Sequence, residues 1–347
     1  MPVSVIVGGQ YGSEGKGKVA LEWVRRDPRV TAVVRPGGTN SGHTAYTKSG
    51  QRFVLRQLPA AAVDGGVKVV LPPGSYIDVT LLKREIAELG LSEPDLIIDP
   101  RAHVISQEHV EWERDAALTA TIGSTGSGTG AAVISRLARM ARDVPPATVA
   151  GETSELLPYL GDTSTILRKT LAEGDRVLIE GTQGFGLSPL HGEAWPKATS
   201  RDTTAAAFLS EAGLGPTEVD EVILVIRCHP IRVAGDSGPL VGETDWQSIA
   251  LAAGAPGNLE ELTSVTQRLR RVGHFDSAVV KKAIAANSPT KIVLNHLDYV
   301  DWGCRAGHIT DMAREFIAQV EQEIGAHVDM AGINETDLVE LARQVAA

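Results

Sequence analysis

Short apolar runs alternate with longer amphipathic segments along the chain. Seven runs of strand length are almost wholly apolar, at residues 3–7, 31–34, 67–71, 96–98, 176–179, 222–226 and 292–294. Strands that are apolar on both faces are typical of a parallel sheet covered by helices on either side. The pattern therefore predicts the α/β class, with a central, mostly parallel sheet flanked by helices.

Four segments between these runs show helical periodicity. They cover residues 79–89, 130–142, 276–286 and 309–324. Asp78 can cap the first segment and Gly90 can end it. The second segment is predicted to present one apolar side, formed by Val133, Leu137 and Met140.

The chain is predicted to fold as one domain, residues 1–347, around a single sheet. Its 347 residues allow two domains or one large α/β unit. The turn-rich segments 145–161 and 234–256 are too short and too mixed in composition to be interdomain linkers. We expect both to be loop excursions, and we expect residues 44–58 to form a hairpin that turns at 48–50.

Composition excludes several classes of function. The chain carries 33 basic and 43 acidic residues, a formal charge of −10, which disfavours a general electrostatic grip on nucleic acid or an anionic membrane. Its 2 cysteines are too few for a disulfide framework or a four-thiolate zinc site. No segment has the roughly 20 apolar residues that span a bilayer, and no basic leader is present. We expect a cytoplasmic protein whose partners are small molecules, not nucleic acid or membrane.

The strongest chemical signal is the turn after the first apolar run, Gly-Gly-Gln-Tyr-Gly-Ser-Glu-Gly-Lys-Gly-Lys at residues 8–18. Such a turn presents backbone N–H groups at a helix N-terminus, where phosphate is stabilised by unpaired donors and by the helix dipole. It departs from the Walker A pattern, because five residues separate Gly9 from Gly15 and Gly17 stands in place of Ser or Thr. A purely structural turn is the alternative, and Lys16 and Lys18 favour phosphate binding.

Four further polar loops follow predicted strands or precede a helix. In residues 35–44, His43 beside Asn40 could act as a general acid or as a positive partner for a phosphoryl oxygen. Residues 122–130 are rich in Gly, Ser and Thr, which suits a monophosphate but also a flexible hinge. The remaining polar loops lie at 180–184 with 198–204, where Gln183 offers an amide, and at 295–298.

Three arginines are concentrated in residues 265–271 of an otherwise acidic chain. Guanidinium groups can hold a carboxylate through two hydrogen bonds, so this segment is a candidate site for an acidic substrate. A solvated basic surface fits the same residues equally well.

Taken in order, these six loops resemble those of adenylosuccinate synthetases along nearly the whole chain. The family's patterns are G-D-E-G-K-G-K, N-A-G-H-T, T-T-G-R-G-I-G, E-G-A-Q-G with T-S-S-N-T-T, T-G-R-x-R-R and T-K-L-D, and each has its counterpart here. The resemblance implies a ligase fold related to the P-loop NTPases. It also implies a two-step reaction, in which a nucleoside triphosphate phosphorylates the 6-oxo group of a purine monophosphate and aspartate then displaces that phosphate.

By position, the resemblance implies a role for each matching residue. The catalytic residues would be Ser13, Lys16, His43 and Gln183. The triphosphate would contact Gly12, Glu14, Gly15, Lys16, Gly17, Gly42, His43, Thr44, Asn295 and Asp298. The purine monophosphate would contact Ser13, Asn40, Ser124, Thr125, Arg139, Gln183 and Thr199, and aspartate would contact Thr266, Arg268 and Arg270. Mg²⁺ would bind Ser13 and the Gly42 carbonyl, and Arg139 would reach a neighbouring subunit's monophosphate in a homodimer.

One departure from the family bears on the substrate. The catalytic aspartate of the family's first loop is Ser13 here. In the family that carboxylate takes the N1 proton of inosinate, whereas a serine hydroxyl is a far poorer proton acceptor. Either the chain binds nucleotides without turnover, or it acts on another purine. Serine is small and leaves room for the exocyclic 2-amino group that distinguishes guanylate from inosinate.

The serine loop resembles the viral branch of the family, the N6-succino-2-amino-2′-deoxyadenylate synthases, which act on dGMP. The leading hypothesis is therefore a ligase for dGMP or GMP. The alternatives are an adenylosuccinate synthetase that uses inosinate and GTP, and a nucleotide-binding regulator without catalysis. Glu14, a water molecule or Ser13 as a relay could take the N1 proton. Changes at residues 295–296 and 331–336, where the family recognises the guanine of GTP, leave ATP, dATP and GTP open as donors.

Overall fold

The computed structural model describes residues 2–139, 141, 143–263 and 267–342. Its helices are α1 (Lys16–Arg26), α2 (Val79–Leu89), α3 (Gln107–Asp115), α4 (Leu118–Ile122), α5 (Thr129–Ala138), α6 (Thr163–Ala172), α7 (Ala205–Ala212), α8 (Trp246–Ala252), α9 (Ser277–Asn287) and α10 (Asp311–Ile324). Its strands are β1 (Val3–Gly8), β2 (Val30–Val34), β3 (His43–Tyr46), β4 (Arg52–Leu55), β5 (Lys68–Leu71), β6 (Tyr76–Ile77), β7 (Leu96–Ile98), β8 (His103–Val104), β9 (Thr148–Val149), β10 (Arg176–Glu180), β11 (Val219–Arg227), β12 (Ile231–Arg232), β13 (Glu243–Thr244), β14 (Arg271–Gly273), β15 (Lys291–Asn295), β16 (Met330–Gly332) and β17 (Leu338–Glu340).

A central sheet of nine strands organises the described part of the chain, in the order β17-β16-β15-β11-β1-β10-β2-β5-β7. Neighbouring strands are parallel except β16 and β17, which pair antiparallel at one edge. Each of the seven apolar runs falls in a strand of this sheet. The prediction of a mostly parallel sheet is confirmed.

The central strand β1 shows why both faces of the sheet need helices. Val5 and Val7 belong to a buried cluster that includes residues of α9 and α10. Ile6 points to the other face, where it belongs to a second cluster with residues of α1 and α2. A strand with apolar side chains on both sides is shielded from water only when helices cover both faces of the sheet.

The predicted helices are found, with one difference in length. Asp78 accepts a hydrogen bond from the Leu81 backbone N–H at 3.0 Å, and Gly90 ends α2 with a φ of 63°. The segment predicted at 130–142 forms α5, which ends at Ala138 because Arg139 adopts a positive φ of 60°. Leu137 is 72% exposed, so the predicted apolar side is reduced to Val133. Met140 lies outside the described residues.

Smaller sheets stand beside the main one. The hairpin of β3 and β4 is confirmed, and it turns through Gly50. A three-stranded sheet, β12-β14-β13, packs with α8 around its own small apolar cluster. The excursion at 145–161 contributes β9, and the one at 234–256 contributes β13 and α8. No helix among the described residues is both long and apolar enough to cross a bilayer.

The sheet topology sets where ligands can bind. The carboxyl ends of β1, β2, β10, β11 and β15 lie at one edge of the sheet, since these strands are parallel neighbours. The strand order reverses at β1, because the chain continues to β2, β5 and β7 on one side and later to β11, β15 and β16 on the other, and a crevice opens between strand ends at such a reversal. Ligands of open α/β sheets bind in such crevices.

Candidate active site

A cleft at the carboxyl edge brings most of the predicted site residues together. It is lined by Gly12, Ser13, Gly15, Lys16, Gly17, Asn40, Gly42, His43, Thr44, Ser124, Thr125, Gln183, Arg268 and Arg270. An adjoining cavity contains Thr199 and shares eight lining residues with the first, so the two form one continuous cleft. Residues from five separate loops therefore face a common space.

The first loop takes a shape that depends on its glycines. Gly12 and Gly15 have φ values of 92° and 90°, in the left-handed region that glycine adopts without strain. Gly15 also leaves no room for a side chain, because a Cβ there would come within 2.7 Å of the Asn295 amide nitrogen. The loop leads directly into α1, whose first residue is Lys16. This is the arrangement in which backbone N–H groups bind phosphate.

Glu14 lies beneath the loop. Its carboxylate is fully buried and accepts hydrogen bonds from the backbone N–H groups of Gln10 and Gly12 and from the Lys16 ammonium at 2.7 Å. Glu14 is not among the residues that line the cleft. Its side chain therefore shapes the loop and restrains Lys16, and any contact with a triphosphate would come from its backbone. This placement also disfavours Glu14 as the group that takes a substrate proton.

His43 is held by a buried carboxylate. Its Nδ1 lies 2.5 Å from Glu180, which ends β10 and also accepts hydrogen bonds from Arg35 and from the backbone N–H of Ala60 and Ala61. Burial, and next the charge of Arg35, lower the pKa of His43 to about 4. The ring is thus neutral at pH 7 without ligand, and Nε2 remains to meet a group in the cleft.

Glu180 remains ionised beside the histidine. Burial alone would raise its pKa, but the hydrogen bond from His43 and the charge of Arg35 bring that pKa below its usual value. A negative phosphoryl group at Nε2 would draw a proton onto the ring, and the carboxylate would stabilise the imidazolium that results. The pair can therefore respond to charge that develops during phosphoryl transfer.

Ser13 contacts one of the predicted aspartate-binding arginines. Arg270 Nη1 donates to the Ser13 hydroxyl at 2.5 Å, and it also donates to Glu261 at 3.0 Å. Arg268 lines the same part of the cleft. Thr266, predicted to contact aspartate with them, lies outside the described residues.

The Ser- and Thr-rich third loop is shaped by an internal carboxylate. Glu113 on α3 accepts hydrogen bonds from the backbone N–H of Gly128, Gly130 and Ala131, at 2.7 to 3.1 Å. These donors start α5, so Glu113 occupies a place where a phosphate could bind. Ser124 and Thr125, which are predicted to contact the monophosphate, line the cleft.

Besides Glu14, three predicted residues lie apart from the cleft lining. Asn295 is buried behind the first loop, where its amide donates to the Glu14 carbonyl at 2.7 Å. Asp298 is buried beside Arg305, which donates to it at 2.8 Å. Arg139 is exposed at the end of α5.

Sequence reasoning missed four charged residues around the cleft. The prediction from sequence gives Arg227, Glu261 and Glu113 no role, and it includes Glu180 only as part of a loop. A signal existed for two of them, since Glu180 and Arg227 are charged residues at the ends of apolar strands and are buried. Glu113 and Glu261 stand in segments of ordinary polarity, so no local pattern marks them.

The family model for adenylosuccinate synthetase matches residues 5–147 and 146–303. An adenylosuccinate synthetase of Methanococcus aeolicus is 36% identical over 337 residues, covering 94% of this chain and 95% of the relative. One from Thermococcus onnurineus is 37% identical over 340 residues and covers 94% of each chain. The chain belongs to the adenylosuccinate synthetase family. It is therefore a carbon–nitrogen ligase that joins aspartate to a purine nucleotide.

Two solved structures show the adenylosuccinate synthetase fold. The fully ligated enzyme from Plasmodium falciparum has a TM-score of 0.85 at 19% identity, covering 99% of this chain and 100% of that one. The succinoaminodeoxyadenylate synthetase of cyanophage S-2L, bound to dGMP and dATP, has a TM-score of 0.81 at 28% identity, covering 98% and 95%. The prediction of the fold class is confirmed.

Proposed function

We propose that this family member joins L-aspartate to C6 of dGMP or GMP through a 6-phosphoryl intermediate, giving an N6-succino-2-aminopurine nucleotide. The proposal rests mainly on Ser13, a small neutral side chain where the family has a carboxylate. Ser13 lines the cleft beside Arg270. The cyanophage S-2L relative, which binds dGMP, supports the proposal. The archaeal relatives, called adenylosuccinate synthetases, favour inosinate as the second candidate.

In this proposal, different residues of the cleft bind the triphosphate, the monophosphate and aspartate. Lys16 and the N–H groups of the first loop bind the triphosphate, and His43 stabilises the phosphoryl group in transfer. Asn40 and Thr199, whose side chains lie 3.5 Å apart, hold the monophosphate with Ser124, Thr125 and Gln183. Arg268 and Arg270 bind aspartate.

The base of the triphosphate is proposed to bind at the end of β15. Asp298 Oδ1 and Asn295 Oδ1 are buried and have no hydrogen-bond partner within the described chain. Buried acceptors without partners are costly, and a base that offers N–H donors would satisfy them. The exocyclic amino group of adenine is such a donor, as are N1–H and the amino group of guanine.

Mg²⁺ is proposed to bind with the triphosphate. Within the described residues no group of three or more His, Cys, Asp or Glu could hold a metal ion. Most ligands would therefore be phosphate oxygens and water, as Mg²⁺ prefers. Gly42 lines the cleft and would supply its carbonyl oxygen as a ligand, whereas the Ser13 hydroxyl already accepts a hydrogen bond from Arg270. When bound, Mg²⁺ would neutralise charge on the phosphates.

A product assay tests the proposed substrate. The protein is incubated with aspartate and Mg²⁺ and with each pairing of inosinate, GMP or dGMP with ATP, dATP or GTP. We expect a succinylated product with dGMP or GMP, identified by mass. Turnover of inosinate alone would contradict the proposal in favour of the second candidate, and tight monophosphate binding without any product would indicate a regulator.

We also propose a homodimer in which Arg139 completes the neighbouring monophosphate site. Its exposure and its strained backbone at the end of α5 fit a residue that acts outside its own subunit. Mixing inactive Arg139→Ala and His43→Asn proteins should restore about a quarter of wild-type turnover, since half of the dimers are mixed and each carries one intact site. A monomer by sedimentation velocity, or no restored activity, would contradict this.

A further inference from the structure

Behind Ser13, one glutamate is bound to two arginines. Glu261 Oε1 accepts from Arg227 Nη2 at 2.6 Å, and Glu261 Oε2 accepts from Arg270 Nη1 at 3.0 Å. The Arg227 side chain is wholly buried, and Glu261 and Arg270 are mostly buried. Such desolvated charges need defined partners, so each guanidinium has little freedom to move.

Both arginines also contact residue 13. Arg270 Nη1 donates to the Ser13 hydroxyl at 2.5 Å, and Arg227 Nη1 donates to the Ser13 carbonyl at 3.0 Å. Arg227 is itself fixed to the first loop, because its backbone N–H and carbonyl both bond the Gln10 side chain. Glu261 is therefore connected to the position that distinguishes this chain from its family through two separate guanidinium groups.

The charge of this cluster leaves one cation in excess. Burial would raise the pKa of Glu261, but the two guanidinium groups hold it well below its usual range, so the carboxylate is ionised. Arg270 Nε is buried and has no hydrogen-bond partner in the described structure. Nη1 thus bonds both Ser13 and Glu261, and the other nitrogens of Arg270, which lines the cleft, would hold a carboxylate there.

The cluster differs from the ordinary ion pairs of this protein. Arg271 pairs with Glu243 next to it in the small sheet, but neither residue lines the cleft. Glu261 and Arg270 both line the cleft. A purely structural ion pair would need no contact with residue 13.

We propose that Glu261 is a positioning residue that couples residue 13 to the aspartate-binding arginines. It holds Arg270 so that one nitrogen contacts Ser13 while another faces the amino-acid substrate. The identity of residue 13 then affects aspartate binding as well as the choice of purine. This inference rests on the proposed assignment of Arg268 and Arg270 to aspartate.

Glu261→Gln tests the coupling, with the exposed neighbour Glu260→Gln as the matched control. We expect the KM for aspartate to rise about tenfold or more while monophosphate affinity stays within about twofold. Arg268→Ala, which removes a proposed direct contact with aspartate, gives the rise in the KM for aspartate against which the effect of Glu261→Gln is compared. Glu261→Asp keeps the charge and should recover part of the affinity. Combined with Ser13→Ala, Glu261→Gln should have a smaller effect than it has alone.

The measurement uses the monophosphate that the wild-type protein turns over, so it does not depend on which purine that is. Without turnover, calorimetric binding of aspartate to the monophosphate-loaded protein gives the same comparison while contradicting the proposed function. An aspartate affinity equal to that of Glu260→Gln would overturn the inference. So would a parallel loss of monophosphate binding and melting temperature that Glu261→Asp does not restore, since that marks a structural ion pair.

Discussion

His43→Asn should lower turnover by about three orders of magnitude while monophosphate binding changes by less than about twofold. The ring is fixed by Glu180 and is neutral before the triphosphate binds, so its contribution arises only as charge develops on the transferring phosphoryl group. Asparagine keeps a polar side chain but cannot take up a proton. Single-turnover phosphate release and calorimetric binding of the monophosphate would measure the two effects.

The exposed histidine His308 provides the control, because it does not line the cleft. His308→Asn should retain wild-type turnover. If His43→Asn keeps more than about a tenth of the wild-type rate, phosphoryl transfer does not depend on this ring.

Ser13→Asp should change the preferred purine. We expect the ratio of kcat/KM for inosinate over dGMP to rise about 100-fold, because a carboxylate can accept the N1 proton and takes up the space left for the 2-amino group. The new carboxylate would also face Arg270, which already bonds Glu261, so the KM for aspartate should change as well.

Ser13→Ala distinguishes the effect of the added carboxylate from the effect of losing the hydroxyl, since it removes the hydroxyl without adding a charge. It should lower activity with both purines and leave their ratio near the wild-type value. An unchanged ratio in Ser13→Asp would mean that the 2-amino group is recognised by other residues.

The sheet and the loops at its edge could be predicted because their signals are local. Strands such as β1 are apolar on both faces, and α2 carries its own cap and its own stop at Asp78 and Gly90. The glycines and lysines of the first loop predict a phosphate site for the same reason. Because the strands are parallel, their carboxyl ends lie at one edge of the sheet, and the loops that follow them come together there.

The electrostatic partners could not be predicted, because they are distant in sequence. Glu180 reaches His43 across 137 positions, and Arg227 reaches Ser13 across 214. Glu14 shows a second limit, since its place in the first loop predicts a contact with the triphosphate, while its carboxylate accepts hydrogen bonds from the loop and from Lys16. A motif identifies which residues are near a site but not which way their side chains point.

The position of β1 at the middle of the sheet has a consequence for folding. Its two neighbours, β10 and β11, begin at residues 176 and 219, so β1 can pair only after the second half of this chain has been synthesised. Such long-range pairing slows folding and leaves an apolar segment exposed during synthesis. Nascent chains that stop before residue 219 should therefore be sensitive to aggregation and dependent on chaperones.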